Sequence, residues 1–192
     1  MKQSDEFQLL CLSNLRIEKG LRQIQSDYDV DLGKDTNEDI DIAEKLSEFG
    51  QNLREEAKRM AQFYSVFYCL ENSIREFIKG IMDEKVGTSW WETKVPQVVK
   101  DNAKKNRSRE EDQGVTLRSD EIIDYTTFGE LSIIIDANWA QFSDVLQNKN
   151  AVKRIFTSIN QIRSPIAHCN VLADDEVSRL MTTLKDWERQ QV

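Results

Sequence analysis

Apolar residues recur every three or four positions along most of this chain, the spacing that places them on one face of an α-helix. In the first segment, Ser4 to about Ser26, Phe7, Leu10, Ile17, Leu21 and Ile24 form such a face. After a polar interval, Ile42, Leu46, Phe49, Leu53, Ala57, Met60, Tyr64, Phe67, Ile74, Ile78 and Ile81 continue the pattern, interrupted where Glu71 takes a stripe position. A stripe of that length exceeds an ordinary helix. Gly50 is a natural place for a break, because a mid-helix glycine costs about 1 kcal/mol relative to alanine, and the pattern leaves open whether one rod or two helices result. From Phe63 to Ile81 the apolar surface widens to more than one side, which predicts a central core helix.

A glycine and capping-type residues in "VGTSWW" end that helix, and a third begins near Val95 with Pro96 in its first turn and runs to about Glu111. The stretch "EIIDYTTFGELSIIIDANWAQFSDVL" predicts one or two short helices with Thr126 or Thr127 as N-cap. Its β-branched "SIII" allows a strand instead, although a strand needs a partner strand to be stable. "NAVKRIFTSINQIR" is a further amphipathic helix. The last runs from Asp174 to about Gln190, with Val177, Leu180, Met181 and Leu184 on one side and Trp187 near its end.

Composition agrees with helices throughout. Seven glycines and two prolines in 192 residues leave little turn material, and good helix formers abound. The predicted fold class is all-α: an up-and-down helical bundle over residues 60–192, with a long N-terminal helical extension and an acidic loop over residues 1–59. Three cysteines, Cys11, Cys69 and Cys169, lie far apart with no metal-binding or redox spacing, so the chain is expected to use no metal or other cofactor. No window reaches the roughly 18 consecutive apolar residues of a membrane span, and the start of the chain carries no apolar signal region, so a cytoplasmic protein without membrane contact is expected.

The formal charge of −8 argues against sequence-independent binding to a duplex, which needs surplus Lys and Arg. It leaves room for a local basic site. Residues 26–44 carry eight acidic residues against one lysine, and residues 94–109 carry six basic residues against one aspartate. Charge runs of this kind are usually solvated helix faces or loops, and Gly33 and Asn37 favour a loop for the acidic one.

The chemistry concentrates in "QIRSPIAHCN", residues 161–170, which holds the chain's one histidine, His168. Pro165 disfavours helical dihedrals at Ser164 and lacks an N–H, so the preceding helix is predicted to close at Arg163 and a new turn to start at Ser164–Pro165. With that kink, Arg163 and His168 converge beside a helix N-terminus, a setting that attracts phosphate. Arg supplies a permanent forked anion ligand and neutral His a proton acceptor or donor near pH 7. An arginine and a histidine at this spacing also occur in many proteins as ordinary packed residues. Glu71 and Arg75, four apart on the core helix, form either a local ion pair or part of a cleft lining. Cys169 reads as a buried structural thiol rather than a nucleophile, and the two tryptophans of "SWWETK" as core rather than base-stacking residues.

"INQIRSPIAHCNVL" resembles the R-x4-6-H motif of the HEPN superfamily, often written R-N-x-x-A-H, near the junction of the last two helices of a small α-helical bundle. Arg163, Ala167 and His168 match it, and Ser164 stands where the motif has Asn. "YSVFYCLENSIREFIKGIM", "SWWETKVP" and "DYTTFGELSIIIDANWAQF" resemble the branch of that superfamily attached to nuclear transcript-surveillance endoribonucleases and to prokaryotic defence proteins. The likeness covers roughly residues 60–190. It implies metal-independent RNA cleavage by attack of the ribose 2′-hydroxyl on the adjacent phosphorus, in a defence or toxin setting. Because one chain has one histidine, it also implies a two-fold homodimer that brings two copies of the motif into one cleft. On that reading Arg163 and His168 are catalytic, Ser164, Asn170, Glu71 and Arg75 bind substrate, and the partners are RNA, a second copy, and an antitoxin or larger defence complex. A non-catalytic dimer that senses RNA or a nucleotide is the alternative.

Overall fold

The computed structural model describes residue 42 and residues 44–191. The predicted helix from Ser4 to about Ser26 and most of the acidic stretch 26–44 lie outside the described residues. The chain divides into two compact units, Met1–Arg54 and Glu55–Val192. In the first, residues 44–47 are helical and the chain turns before Gly50, so the stripe does break at that glycine.

The second unit is built from helices, apart from one isolated bridge between Leu146 and Gln191. The first helix, α1, runs from Gln51 to Val86, with all but its first four residues in this unit. It ends at Gly87, whose φ of +92° lets its N–H reach back to the carbonyls of Met82 and Asp83. Its apolar stripe changes character along its length. Leu53 and Tyr64 are exposed, Met60 and Phe63 are half-buried, and Phe67, Leu70, Ile74, Ile78 and Met82 are buried. Helix α2 is the short Trp90–Lys94, locked to α1 by the Trp90 indole N–H donating to Asp83 at 2.9 Å. Pro96 then stops α2 and starts α3, Gln97–Gln113, which buries Val99 and Ala103 and ends at the left-handed Gly114.

A 3-10 turn at Ile122–Tyr125 leads into α4, Phe128–Ala137. Thr127 is its N-cap, and Glu130 accepts the Thr127 N–H at 2.7 Å, the N3 half of a capping box. "SIII" is therefore helical, part of a helix capped at its start that buries Leu131, Ile134 and Ile135. Helix α5 is Trp139–Phe142 and α6 is Lys149–Ala167, the latter started by the Asn148 side chain, which accepts the Ala151 N–H at 2.9 Å. Val152, Ile155, Phe156, Ile159 and Ile162 put a continuous apolar face of α6 into the core. The last helix, α7, is Asp174–Gln190, with three acids in its first turn where the helix dipole favours them. It buries Leu180, Thr183 and Trp187 and leaves Met181 exposed, whereas the sequence pattern placed Met181 with the packed side. Helix α6 packs against both α4 and α7. Phe156 is at their centre, stacked on Phe128 at 5.1 Å and edge-on to Trp187 at 5.4 Å.

One local prediction is overturned. Helix α6 does not close at Arg163; it runs through Ser164 and Pro165 to Ala167. The proline falls in the last turn, where its missing N–H costs a single ladder bond, and the end is tied off downstream. Cys169 adopts φ +56° and donates its N–H to Ile166 O at 3.1 Å, and the Asn170 N–H reaches Pro165 O at 2.8 Å. These two bonds are a Schellman closure, with a cysteine where glycine is usual. Cys169 is exposed, not a buried structural thiol. A left-handed non-glycine residue carries about 1 kcal/mol of strain, so Cys169→Gly should raise unfolding stability by up to about that amount, less the larger entropy of the unfolded glycine chain. Chemical denaturation of the two proteins measures it.

Candidate functional site

Glu71 breaks the apolar stripe of α1 because it is the hub of a charge cluster. Its side chain is only 12% exposed, and its two oxygens receive two different guanidiniums, Arg75 from one turn along α1 and Arg163 from α6. Arg163 uses its Nε, at 3.1 Å. Arg75 is further fixed by donating to Thr126 O at 3.1 Å and to the Asn72 side chain at 3.1 Å. Glu71 and Arg75 form an ion pair, and both residues line a cleft.

That cleft is an open cavity of about 550 Å³ between α1, the end of α6 and the loop before the 3-10 turn. Its charged lining is Glu71, Arg75, Arg118, Asp124 and Arg163, three guanidiniums against two carboxylates in a chain of net charge −8. Engaging Glu71 through Nε leaves the two terminal nitrogens of Arg163 without a protein partner among the described residues, and the side chain is 35% exposed. The Glu71 carboxylate fixes the guanidinium, and Arg163 lines the cavity, where its unengaged nitrogens can bind an anion bidentately.

Arg118 was not legible as a site residue, since nothing in "GVTLRSDE" marks it. It is positioned by a loop pinned on three sides. Arg118 pairs with Glu110 of α3, Lys79 of α1 bonds Glu121 at 2.8 Å, and the Tyr125 hydroxyl donates to Ser119 O at 2.9 Å. The Arg118 hydrogen bond holds the Glu110 carboxyl below its ordinary 4.5. The tie is thus kept at neutral pH and lost only as pH falls through that lowered value. Arg118 also lies over the Tyr125 ring, 5.1 Å from its centroid.

The other predicted residues sit differently. His168 is the C-cap of α6, exposed, and absent from the cavity lining. Because α6 is unbroken, its position and that of Arg163 are five residues apart on one helix, a rotation of about 140°. The kink that was to make them converge does not exist, and the helix end beside them is a C-terminus with its carbonyls, not an anion-attracting N-terminus. Ser164 is exposed on α6. Asn170 is exposed in the closing turn, its amide donating to His168 O at 3.2 Å. The basic stretch 94–109 falls mostly on α3: Lys104, Lys105 and Arg109 are exposed, and Arg107 pairs with Glu111 at 3.1 Å. Trp90 is buried and Trp91 half-buried against it. Among the described residues no group of three or more His, Cys, Asp or Glu is placed to hold a metal ion, and no helix is long and apolar enough to cross a membrane.

An all-α bundle with an arginine and a histidine in R-x4-H spacing at the end of its penultimate helix resembles the HEPN class. The family model for Swt1-like HEPN matches residues 65–190, and the chain belongs to that family. The protein that gives the family its name is a transcript-surveillance endoribonuclease. Neither a curated protein nor a solved structure matches the chain.

Proposed function

We propose that this chain is a metal-independent endoribonuclease that acts as a two-fold dimer in a defence or toxin setting, residues 60–192 forming the RNA-acting body and residues 1–59 an extension. Arg163 holds the scissile phosphate and His168 moves protons. One imidazole takes the proton of the 2′-hydroxyl as O2′ attacks phosphorus. A second imidazole returns a proton to O5′ as the P–O5′ bond breaks, leaving a 2′,3′-cyclic phosphate and a free 5′-hydroxyl. The guanidinium stabilises the charge that builds on the phosphoryl oxygens.

The observation that carries this reading is the free edge of Arg163, presented to an open cavity by a buried carboxylate. The separation of Arg163 from His168 along one unbroken helix strengthens the need for a second chain. A single copy does not put both groups in one cleft, whereas a two-fold axis near the end of α6 would bring the His168 of one chain toward the Arg163 of the other. The same separation favours the second reading, a dimer that binds RNA or a nucleotide in the cavity without cutting it.

The test is incubation of the purified protein with single-stranded RNA in EDTA. The expected result is strand scission with cyclic phosphate ends and no action on DNA, which lacks the attacking hydroxyl. Intact RNA over a broad panel, with binding retained, would establish the sensing module in its place.

A further inference from the structure

Two aromatic residues on the cavity wall have no part in phosphate binding or proton transfer. Tyr64 and Tyr68 are one turn apart on α1, and both line the cavity that holds Arg163. They are 62% and 60% exposed, although Phe67, between them in sequence, is 4% exposed and packed in the core. Their rings touch each other, with centroids 6.3 Å apart and planes tilted by 35°. A base inserted between two rings would need two stacking gaps of about 3.5 Å each and parallel planes, so the pair is not a slot. It offers outward ring faces, large apolar surface left open beside guanidiniums.

That combination selects a ligand. A polyanion is drawn by Arg163 and Arg118, and one whose repeating units carry flat aromatic groups also satisfies the tyrosines. Single-stranded nucleic acid has both features, and aromatic side chains beside a basic groove bind it through base stacking. A duplex keeps its bases stacked on one another and offers no free base faces to the tyrosines. The Asn72 amide, also in the cavity lining, is held by the protein: it donates to Tyr68 O at 2.8 Å and accepts from Arg75 at 3.1 Å.

We propose that Tyr64 and Tyr68 are a stacking platform for unpaired bases of the RNA strand whose phosphate Arg163 holds, and that they make the site selective for single-stranded RNA with little preference among bases. The platform rests on the RNA reading of the cavity.

The test uses the full chain and a short fluorescent 2′-O-methyl RNA, which cannot be cleaved, beside an abasic strand of equal length and a duplex of the same sequence. The parent should bind the base-bearing single strand roughly tenfold or more tighter than the abasic strand. The Tyr64→Ala/Tyr68→Ala variant should lose that difference while its salt dependence stays unchanged. Tyr64→Trp/Tyr68→Trp should retain it, and Arg163→Ala should lower the slope of log affinity against log salt by about one. Both tyrosines are exposed, so the alanine variant is expected to fold, and its thermal midpoint checks this. A Tyr variant that keeps the base preference overturns the platform while leaving the RNA reading intact. So does one whose loss tracks dissociation of a dimer in sedimentation at the same concentration, which would make the tyrosines a contact between copies. A parent that binds neither strand overturns the RNA reading, and the platform with it.

Discussion

Arg163→Ala is expected to reduce RNA cleavage by about 10²–10³-fold, the effect of removing one preorganised donor from a developing oxyanion, with little loss of stability. Its Nε bond to Glu71 is partly solvent-exposed and Glu71 keeps Arg75, so the fold retains the buried half of the cluster. Arg163→Lys should recover little. A lysine has one ammonium, which can pair with Glu71 or reach a phosphate, whereas the guanidinium does both from different edges. His168→Ala should cost about 10²–10⁴-fold through loss of proton transfer. Because His168 is exposed at the helix cap and its side chain makes no hydrogen bond or ion pair among the described residues, that variant should match the parent in thermal stability.

Mixing the two inactive variants distinguishes a composite site from a self-contained one. If the cleft takes Arg163 from one chain and His168 from the other, about half of the re-formed dimers carry one of each. Each such dimer keeps one of the two imidazoles and one guanidinium in the shared cleft, so cleavage should rise above that of either variant alone while staying below that of the parent. If each chain supplies its own complete site, every dimer in the mixture has only defective copies and activity stays at the sum of the two. The second outcome, with subunit exchange shown by a differently tagged copy, would remove the dimer from the mechanism. The unbroken helix from Lys149 to Ala167 makes the first outcome the expected one, since it leaves no kink to bring the two side chains of one copy together.

The helices were legible because burial follows period. Val152, Ile155, Phe156, Ile159 and Ile162 read as one face from spacing alone, and all five are in the core. The helix end at Pro165 was misjudged because two local rules compete. Proline disfavours continuation, but a Schellman closure four residues later stabilises the turn that contains it, and nothing marks that closure when the left-handed residue is Cys169 rather than glycine. Glu71 carried a visible signal, a charge on a buried stripe, yet its second partner lies 92 positions away and only the packing of α1 against the end of α6 pairs them. Arg118 carried none, because a loop residue acquires its role from the contacts that pin the loop, here Glu110, Glu121 and Ser119. Tyr64 was read as a stripe residue, and the periodicity that placed it there does not distinguish a face covered by other helices from one open to a cavity.

Glu71→Ala is expected to be the most destabilising single change in the cluster, by about 3–5 kcal/mol, the cost of leaving a buried charge without its partner. The stranded group is Arg75, 13% exposed, which would retain only Thr126 O and the Asn72 side chain, and whose Nε already has no partner. The Arg163 contact, nearer to solvent, adds roughly 0.5 kcal/mol to that cost. Urea unfolding measures the loss, and two companion variants identify its origin. Glu71→Gln keeps an acceptor oxygen and the packed volume, so it should cost less than alanine. Glu71→Met combined with Arg75→Met removes both buried charges and should lie closer to the parent than Glu71→Ala does, because an apolar pair of similar volume carries no uncompensated ion. Cleavage under conditions where each variant is folded then separates the two duties of the carboxylate. The Met pair, stable but with nothing to hold the Arg163 Nε, should cut RNA far more slowly than its stability would suggest, and full activity in that variant would show that Arg163 needs no anchor.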